Sequence, residues 1–349
     1  MSEAPARGRR IAILRLTSLG DVIHTLPVAA AIRQHDPNAH IIWLAEEREH
    51  VLLQNNPVVD EVVIVPLRRW RAQLHSLMGV RQAAREWREM VRDLRARKID
   101  VALDVQGLPQ KTSLLAWLTR APMRIGFDRP HVRHPAAALF TTVHVAPPPE
   151  ARHIVDQNLA LIGPLGMHQI GAPQFPLPAF PDAERRADEW RRAHGIEAHQ
   201  RVVVLLPSTR RATKFWPAAS FRELARRLLA DPAVRIVVLG GPGEDALLAE
   251  VRDTLPPDRA LAWAPDPIPD LVAIIRHAHL AIGNDTGPLH IAAACQVPAI
   301  GLFGPTSGAR NGPYGAAGTF IQSATGQMED ISVEEVVAAA GRALTEPAP

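Results

Sequence analysis

The sequence predicts an α/β protein built from two Rossmann-like, doubly wound domains that face one another across a cleft. Three observations carry that prediction. Short apolar runs alternate with amphipathic segments along the whole chain. A proline-dense stretch divides the 349 residues almost in half. Each half also opens alike, with a basic residue, an apolar run, a turn containing Ser or Thr, and a helix-like segment: RIAILRLTSLGDV from Arg10 and RVVVLLPSTRRATKFW from Arg201.

In the first half the strand-like runs are IAIL (11–14), HIIWLA (40–45), EVVIVP (61–66) and VALDV (101–105). In the second they are RVVVLLP (201–207), RIVVLGG (235–241), LAIGN (280–284) and VPAIGLFG (297–304). Runs that are apolar throughout, rather than alternating, suit strands covered on both faces, as in parallel sheets. Helical patterns cover Val80 to Arg97, Ser220 to Leu229, Ile268 to His277 and Ile331 to Leu344. In GAPQFPLPAFPDAE, Pro173, Pro176, Pro178 and Pro181 recur too densely for a helix or a central strand. The expected domains are therefore 1–172 and 183–330, joined by a linker at 173–182, with a C-terminal helix and tail at 331–349.

A hydrophobic content of 47% with ordinary charge usage describes a globular chain, and no apolar run approaches the ~18 residues that span a bilayer. Arg7, Arg9 and Arg10 before an apolar run imitate a secretion signal, but Arg15 and Asp21 interrupt it and no small-residue cleavage site follows. The run reads instead as a buried first strand. A single cysteine, Cys295, rules out an internal disulfide framework and a multi-cysteine metal site and fits a cytoplasmic location. It lies in an apolar helical run, where an inert buried thiol is expected. Net charge is only +3, yet Pro66 to Lys98 holds ten Lys and Arg against Glu86, Glu89 and Asp93. Such a block suits a nucleic acid, an anionic membrane surface, an acidic substrate or simply a solvated helix face.

Chemistry-bearing residues fall in the turns between strands and helices, where doubly wound sheets bind ligands. Asp21 follows a Gly turn at a helix start, so it serves either as a first-turn carboxylate satisfying free amides or as a general base. In LAIGNDTGPLHIAAA the turn Asn284 to Gly287 precedes Pro288, which a first helical turn tolerates. The amides there form an anion site. Asp285 would repel an anion, so it is expected to accept hydrogen bonds from neutral hydroxyls or turn amides. In PSTRRATKFWP, Ser208 and Thr209 offer hydroxyls and Lys214 a compact charge for a diphosphate, while Arg210 and Arg211 either assist or face water. LGGPGED (239–245) lacks dinucleotide spacing, no Walker A sequence occurs, and the fifteen histidines show no paired ligand spacing, so no cofactor or metal is expected. His24 and His290 read as cleft or packing residues. RRWR, Arg68 to Arg71, offers guanidinium forks for phosphates or carboxylates.

Taken together, TSLGDVIHTLP, RRWR, DVQGL (104–108), TKFWP and GNDTGPLHIAAA…GLFGPT resemble, in that order, the ADP-heptose:lipopolysaccharide heptosyltransferases of glycosyltransferase family 9. RRWR, DVQGL and RHPAAALF (133–140) are most similar to the type I enzymes. The resemblance implies a GT-B fold and metal-independent, inverting transfer of heptose from ADP-heptose to a Kdo residue of the lipid A inner core. The N-terminal domain would hold the acceptor and the C-terminal domain the donor, at the cytoplasmic face of the inner membrane. Asp21 matches the family's catalytic base, and Lys214, Asp285, Thr286 and Gly287 match its donor site, with Asp285 toward the heptose. Ser208, Thr209 and His290 are weaker donor-site matches. Arg68, Arg69, Arg71 and Arg133 match basic positions that face the anionic acceptor.

A family 9 enzyme of another specificity, such as type II, is the alternative. A sugar-nucleotide epimerase or hydrolase would leave RRWR unexplained. A nucleic-acid binder is disfavoured because only Trp70 and Trp87 supply aromatic surface in the basic block.

Overall fold

All eight apolar runs are strands. In the computed structural model, which describes residues 8–265, 267–315 and 317–345, they belong to two six-stranded sheets, parallel throughout. Arg7 and the tail 346–349 lie outside the described residues. The chain divides into two compact units, 1–178 and 179–349.

The N-terminal unit contains β1 (Arg10–Leu14), β2 (His40–Ala45), β3 (Glu61–Ile64), β4 (Val101–Asp104), β5 (Met123–Phe127) and β6 (Val143–Val145), ordered β3-β2-β1-β4-β5-β6. Ile11 to Leu14 and Ile41 to Ala45 have no exposed surface, which is why those runs are apolar on both faces. The order reverses between β1 and β4, so the turns after these two strands flank the switch point where such sheets bind ligands. Both turns are tied together. Gln106 accepts from the Leu16 amide (3.1 Å) and donates to Thr17 Oγ1 (3.5 Å). Gly107 takes a positive φ of 62°, and a Cβ there would sit 2.5 Å from Val132 Cγ2. Only glycine therefore lets the segment bearing Arg133 close onto the β4 turn.

The C-terminal unit repeats the plan with β7 (Arg201–Leu206), β8 (Val234–Leu239), β9 (Ala260–Trp263), β10 (Leu280–Asn284), β11 (Ala299–Phe303) and β12 (Gly318–Gln322), ordered β12-β11-β10-β7-β8-β9. Its switch point lies between β7 and β10. A Cβ on Gly283 would stand 2.4 Å from Leu206 Cβ, so glycine brings the two strand ends together. Fully buried Trp216 packs with Phe221 and donates to the Ile331 carbonyl (2.9 Å), fixing the β7 turn to the chain before the last helix, Val333–Thr345.

Four strands, β5, β6, β9 and β12, carry no strand signal in the sequence. β6, β9 and β12 are short or exposed edges, and β5 carries Arg124. Pro181 and Asp182, the last two residues of the expected linker, instead open the helix Pro181–Ala193, where a missing amide is harmless. Among the described residues, no helix is long and apolar enough to cross a membrane.

Candidate active site

In the N-terminal unit the turn after β1 ends in the short helix Leu19–Ile23, with Ser18 at its N-cap and Asp21 in its first turn. Asp21 Oδ2 accepts from the Ser18 amide (3.0 Å) and the Ser18 hydroxyl (2.9 Å), a capping box. Its other oxygen pairs with Arg15, a guanidinium only 6% exposed that also donates to the Val105 carbonyl (3.2 Å). Burial pushes the Asp21 carboxyl up, but the Arg15 charge and the Ser18 hydrogen bonds outweigh it and hold the group below the usual carboxylate range. Asp21 is thus an anion at neutral pH, and it is also a first-turn carboxylate that satisfies the Ser18 amide.

A folded-state value below the unfolded one, about 3.9, means that this ionisation stabilises the fold fully above pH ~4 and that the contribution fades as pH falls through the lower value. Urea midpoints should therefore separate wild type from Asp21→Asn at neutral pH and converge in acid.

Of the basic positions, Arg68 pairs with buried Glu46 (3.1 Å), and Arg69 with Glu47 (3.5 Å) and Glu86 (3.2 Å). Both are partly neutralised, which the run of arginines in RRWR does not reveal. Arg71 and Arg133 are exposed and make no ion pair among the described residues. Trp70 is buried and donates to Glu86 (2.9 Å), so this aromatic anchors the helix Leu67–Gln73. Glu46 extends β2 and donates its amide to the Leu16 carbonyl (3.1 Å), which brings Arg68 to the same edge of the sheet as the Asp21 turn. Deep burial raises the Asp104 carboxyl, which accepts from the Gly107 amide (3.0 Å) and from Ser113, a role within the turn.

In the C-terminal unit, Asp285 sits at the end of β10, before the helix Gly287–Ala294. It accepts from a neutral hydroxyl as expected, Thr306 Oγ1 (2.9 Å), but it is also ion-paired with Lys214 and lies 3.7 Å from His290 Nε2. Burial opposes its charge, yet His290 and Lys214 drive it well below the usual carboxylate range. The lysine and aspartate together are therefore close to neutral. Asn284, fully buried, accepts from the Trp216 amide (3.1 Å) and donates to the Pro207 carbonyl (2.7 Å), which holds the Lys214 loop against β10.

Thr286 is the N-cap of the helix, yet its Oγ1 is buried with no partner among the described residues. Gly287 opens the helix, whose first amides lack intrahelical acceptors. An orphan hydroxyl beside such amides suits an anionic oxygen. Ser208 donates to Glu244 (2.6 Å) and Thr209 Oγ1 receives the Arg211 amide (3.4 Å). LGGPGED thus supplies Glu244 as a clamp on the β7 turn. Arg210 and Arg211 are exposed. Burial pushes the Cys295 thiol up to about 11, an inert form.

The sequence reading overlooked Arg15, Gln106, Asn284, Glu244 and Thr306 as working parts. Each lies inside a quoted stretch, and the signal for each is a polar residue in a strand-to-helix turn.

A family model for glycosyltransferase family 9 (heptosyltransferase) matches residues 87–339. Lipopolysaccharide heptosyltransferase 1 of Pseudomonas aeruginosa is 28% identical over 319 residues, covering 90% of this chain and 84% of the relative. Lipopolysaccharide heptosyltransferase 3 of Escherichia coli is 29% identical over 296 residues, covering 82% and 81%. Among solved structures, E. coli heptosyltransferase WaaC with ADP superposes with a TM-score of 0.78 at 24% identity, covering 96% of this chain and 99% of that one, a likeness of GT-B fold.

Proposed function

We propose, since the chain belongs to glycosyltransferase family 9, the heptosyltransferases, that it moves L-glycero-D-manno-heptose from ADP-heptose to a Kdo residue of the lipid A inner core. It is a glycosyltransferase of lipopolysaccharide core assembly, and the type I acceptor is the finer reading. RRWR, DVQGL and RHPAAALF support type I over its siblings. Global identity does not separate them, because the type 1 and type 3 relatives match almost equally.

The observation that carries the mechanism is Asp21, an ionised carboxylate at the switch point of its sheet. In the proposed step Asp21 takes the proton of the acceptor hydroxyl as that oxygen bonds to the anomeric carbon. The bond from that carbon to the β-phosphate oxygen breaks, its electron pair leaves with ADP, and configuration inverts. Lys214, Thr286 and the amides from Gly287 offset the charge that develops on the diphosphate. Asp285 holds Lys214 in place on its heptose-facing side, and Ser208, Thr209 and His290 complete the donor site. Arg71 and Arg133 are the cations most open to acceptor phosphates and carboxylates, with Arg68 and Arg69 exchanging their glutamates for the acceptor. The acceptor's lipid anchor places the enzyme at the cytoplasmic face of the inner membrane.

Purified protein with ADP-heptose and heptose-free Kdo-lipid A should release ADP and raise the acceptor mass by one heptose. Lipid A already carrying its first heptose should remain unmodified. Transfer to the heptosylated acceptor alone would assign type II specificity, and equal ADP release without acceptor would replace transfer by hydrolysis.

A further inference from the structure

The helix Leu77–Ala96 buries one stripe and leaves another unused. Ala83, Trp87, Met90, Val91 and Leu94 face the core of the N-terminal unit. At 3.6 residues per turn, Arg81, Arg85, Arg88 and Arg92 fall within about 60° of one another on the far side, and all four are exposed. Arg85 pairs with Glu89 (2.9 Å) and Arg92 approaches Asp93 (3.6 Å), whereas Arg81 and Arg88 make no ion pair among the described residues. Glu86, Glu89 and Asp93 lie on the adjoining flank, so the arginine line itself carries no acid.

At the N-terminal end of this line, apolar side chains stand in water. Leu77 is 84% exposed and Met78 81%, and they straddle the direction of the arginines; Leu74, in the preceding turn, is 58% exposed. Isolated exposed leucines need no explanation, but three large apolar side chains exposed within five residues mark a surface that something covers. A nucleic acid would meet stacking or hydrogen-bonding groups here, not Leu and Met. An apolar tip leading a row of guanidiniums is what the boundary between lipid headgroups and acyl chains accepts, with the arginines drawn to anionic headgroups.

We propose that the turn Leu74–Met78 and the line Arg81, Arg85, Arg88 and Arg92 form a docking surface for an anionic lipid bilayer, the apolar side chains entering below the headgroups. This deepens the proposed function, from which it takes only that the acceptor is embedded in a bilayer.

The test is co-sedimentation of the full chain with phosphatidylethanolamine–phosphatidylglycerol vesicles and with neutral phosphatidylcholine vesicles. The anionic vesicles should pellet the protein at low salt. Leu77→Asp with Met78→Asp, a change that a helix N-terminus tolerates, should lower the bound fraction about tenfold or more, as should Arg81→Glu with Arg88→Glu. Both pairs should keep the wild-type Tm and the wild-type rate on a soluble Kdo oligosaccharide. Unchanged vesicle binding by either pair overturns the surface, as does failure of wild type to bind. Loss of self-association in the Asp pair, with no vesicle binding by wild type, would reassign the turn to a second copy. If wild type pellets but transfers no heptose to the soluble acceptor, the transferase reading fails and the surface stands.

Discussion

Asp21→Asn should lower turnover by ~10²–10⁴-fold, the range associated with a positioned general base, while ADP affinity stays within about threefold of wild type. The amide still presents an oxygen to the Ser18 amide and hydroxyl, so the capping interaction survives. What disappears is the negative charge, and with it the ability to take a proton. The substitution also strips the ion pair from Arg15, which is buried, so some loss of Tm accompanies it. Because Asp21 is partly open to solvent, that loss is screened and is not the source of the kinetic effect.

Ser18→Ala separates the two roles. It removes a hydroxyl hydrogen bond worth ~0.5–2 kcal/mol at an N-cap but leaves the carboxylate, so stability should fall while turnover stays within a few-fold. If Ser18→Ala slows transfer as much as Asp21→Asn does, Asp21 works by shaping the turn and is not the base. Calorimetric ADP titration and single-turnover product mass, run on the same preparations, supply both readouts.

The contrast between these variants also shows where sequence reading stops. Seven of the eight legible strands are central, where parallel strands must be apolar on both faces, and runs such as RVVVLL announce that directly. The eighth, β3, is an edge strand whose VVI is still apolar, whereas central β5 is interrupted by Arg124. β12 is not legible, because GTFIQ is mostly exposed at a sheet edge and no longer apolar throughout. Asp21, Lys214 and Asp285 stand out as charged groups in turns that follow apolar runs. Their partners do not stand out. Lys214 and Asp285 are 71 residues apart, and only the pairing of β7 with β10 brings them together. Arg68 and Arg69 read as free cations because Glu46, Glu47 and Glu86 reach them from other elements. Local sequence reports burial and backbone demands well, but it does not report which opposite charge a fold will deliver to a given residue.

That pairing yields the second large effect. Lys214→Gln should weaken ADP binding about 10²-fold, more than the loss of one charge-assisted hydrogen bond at its weaker end, because it also unmasks Asp285. Asp285 then remains an anion beside the diphosphate, with His290 and Thr306 as its remaining partners. Asp285→Asn should behave oppositely toward ADP. It frees the lysine of its counter-ion, so affinity for the diphosphate holds or rises while turnover falls, since the lysine is no longer held in place. The double variant restores local neutrality and should recover about tenfold of the affinity lost in Lys214→Gln, a coupling expected only of side chains in direct contact. Titration calorimetry with ADP on all four proteins closes the cycle. Equal weakening by Asp285→Asn and Lys214→Gln, with no recovery in the double variant, would show that Asp285 contributes to the ligand directly and is more than the counter-ion of Lys214.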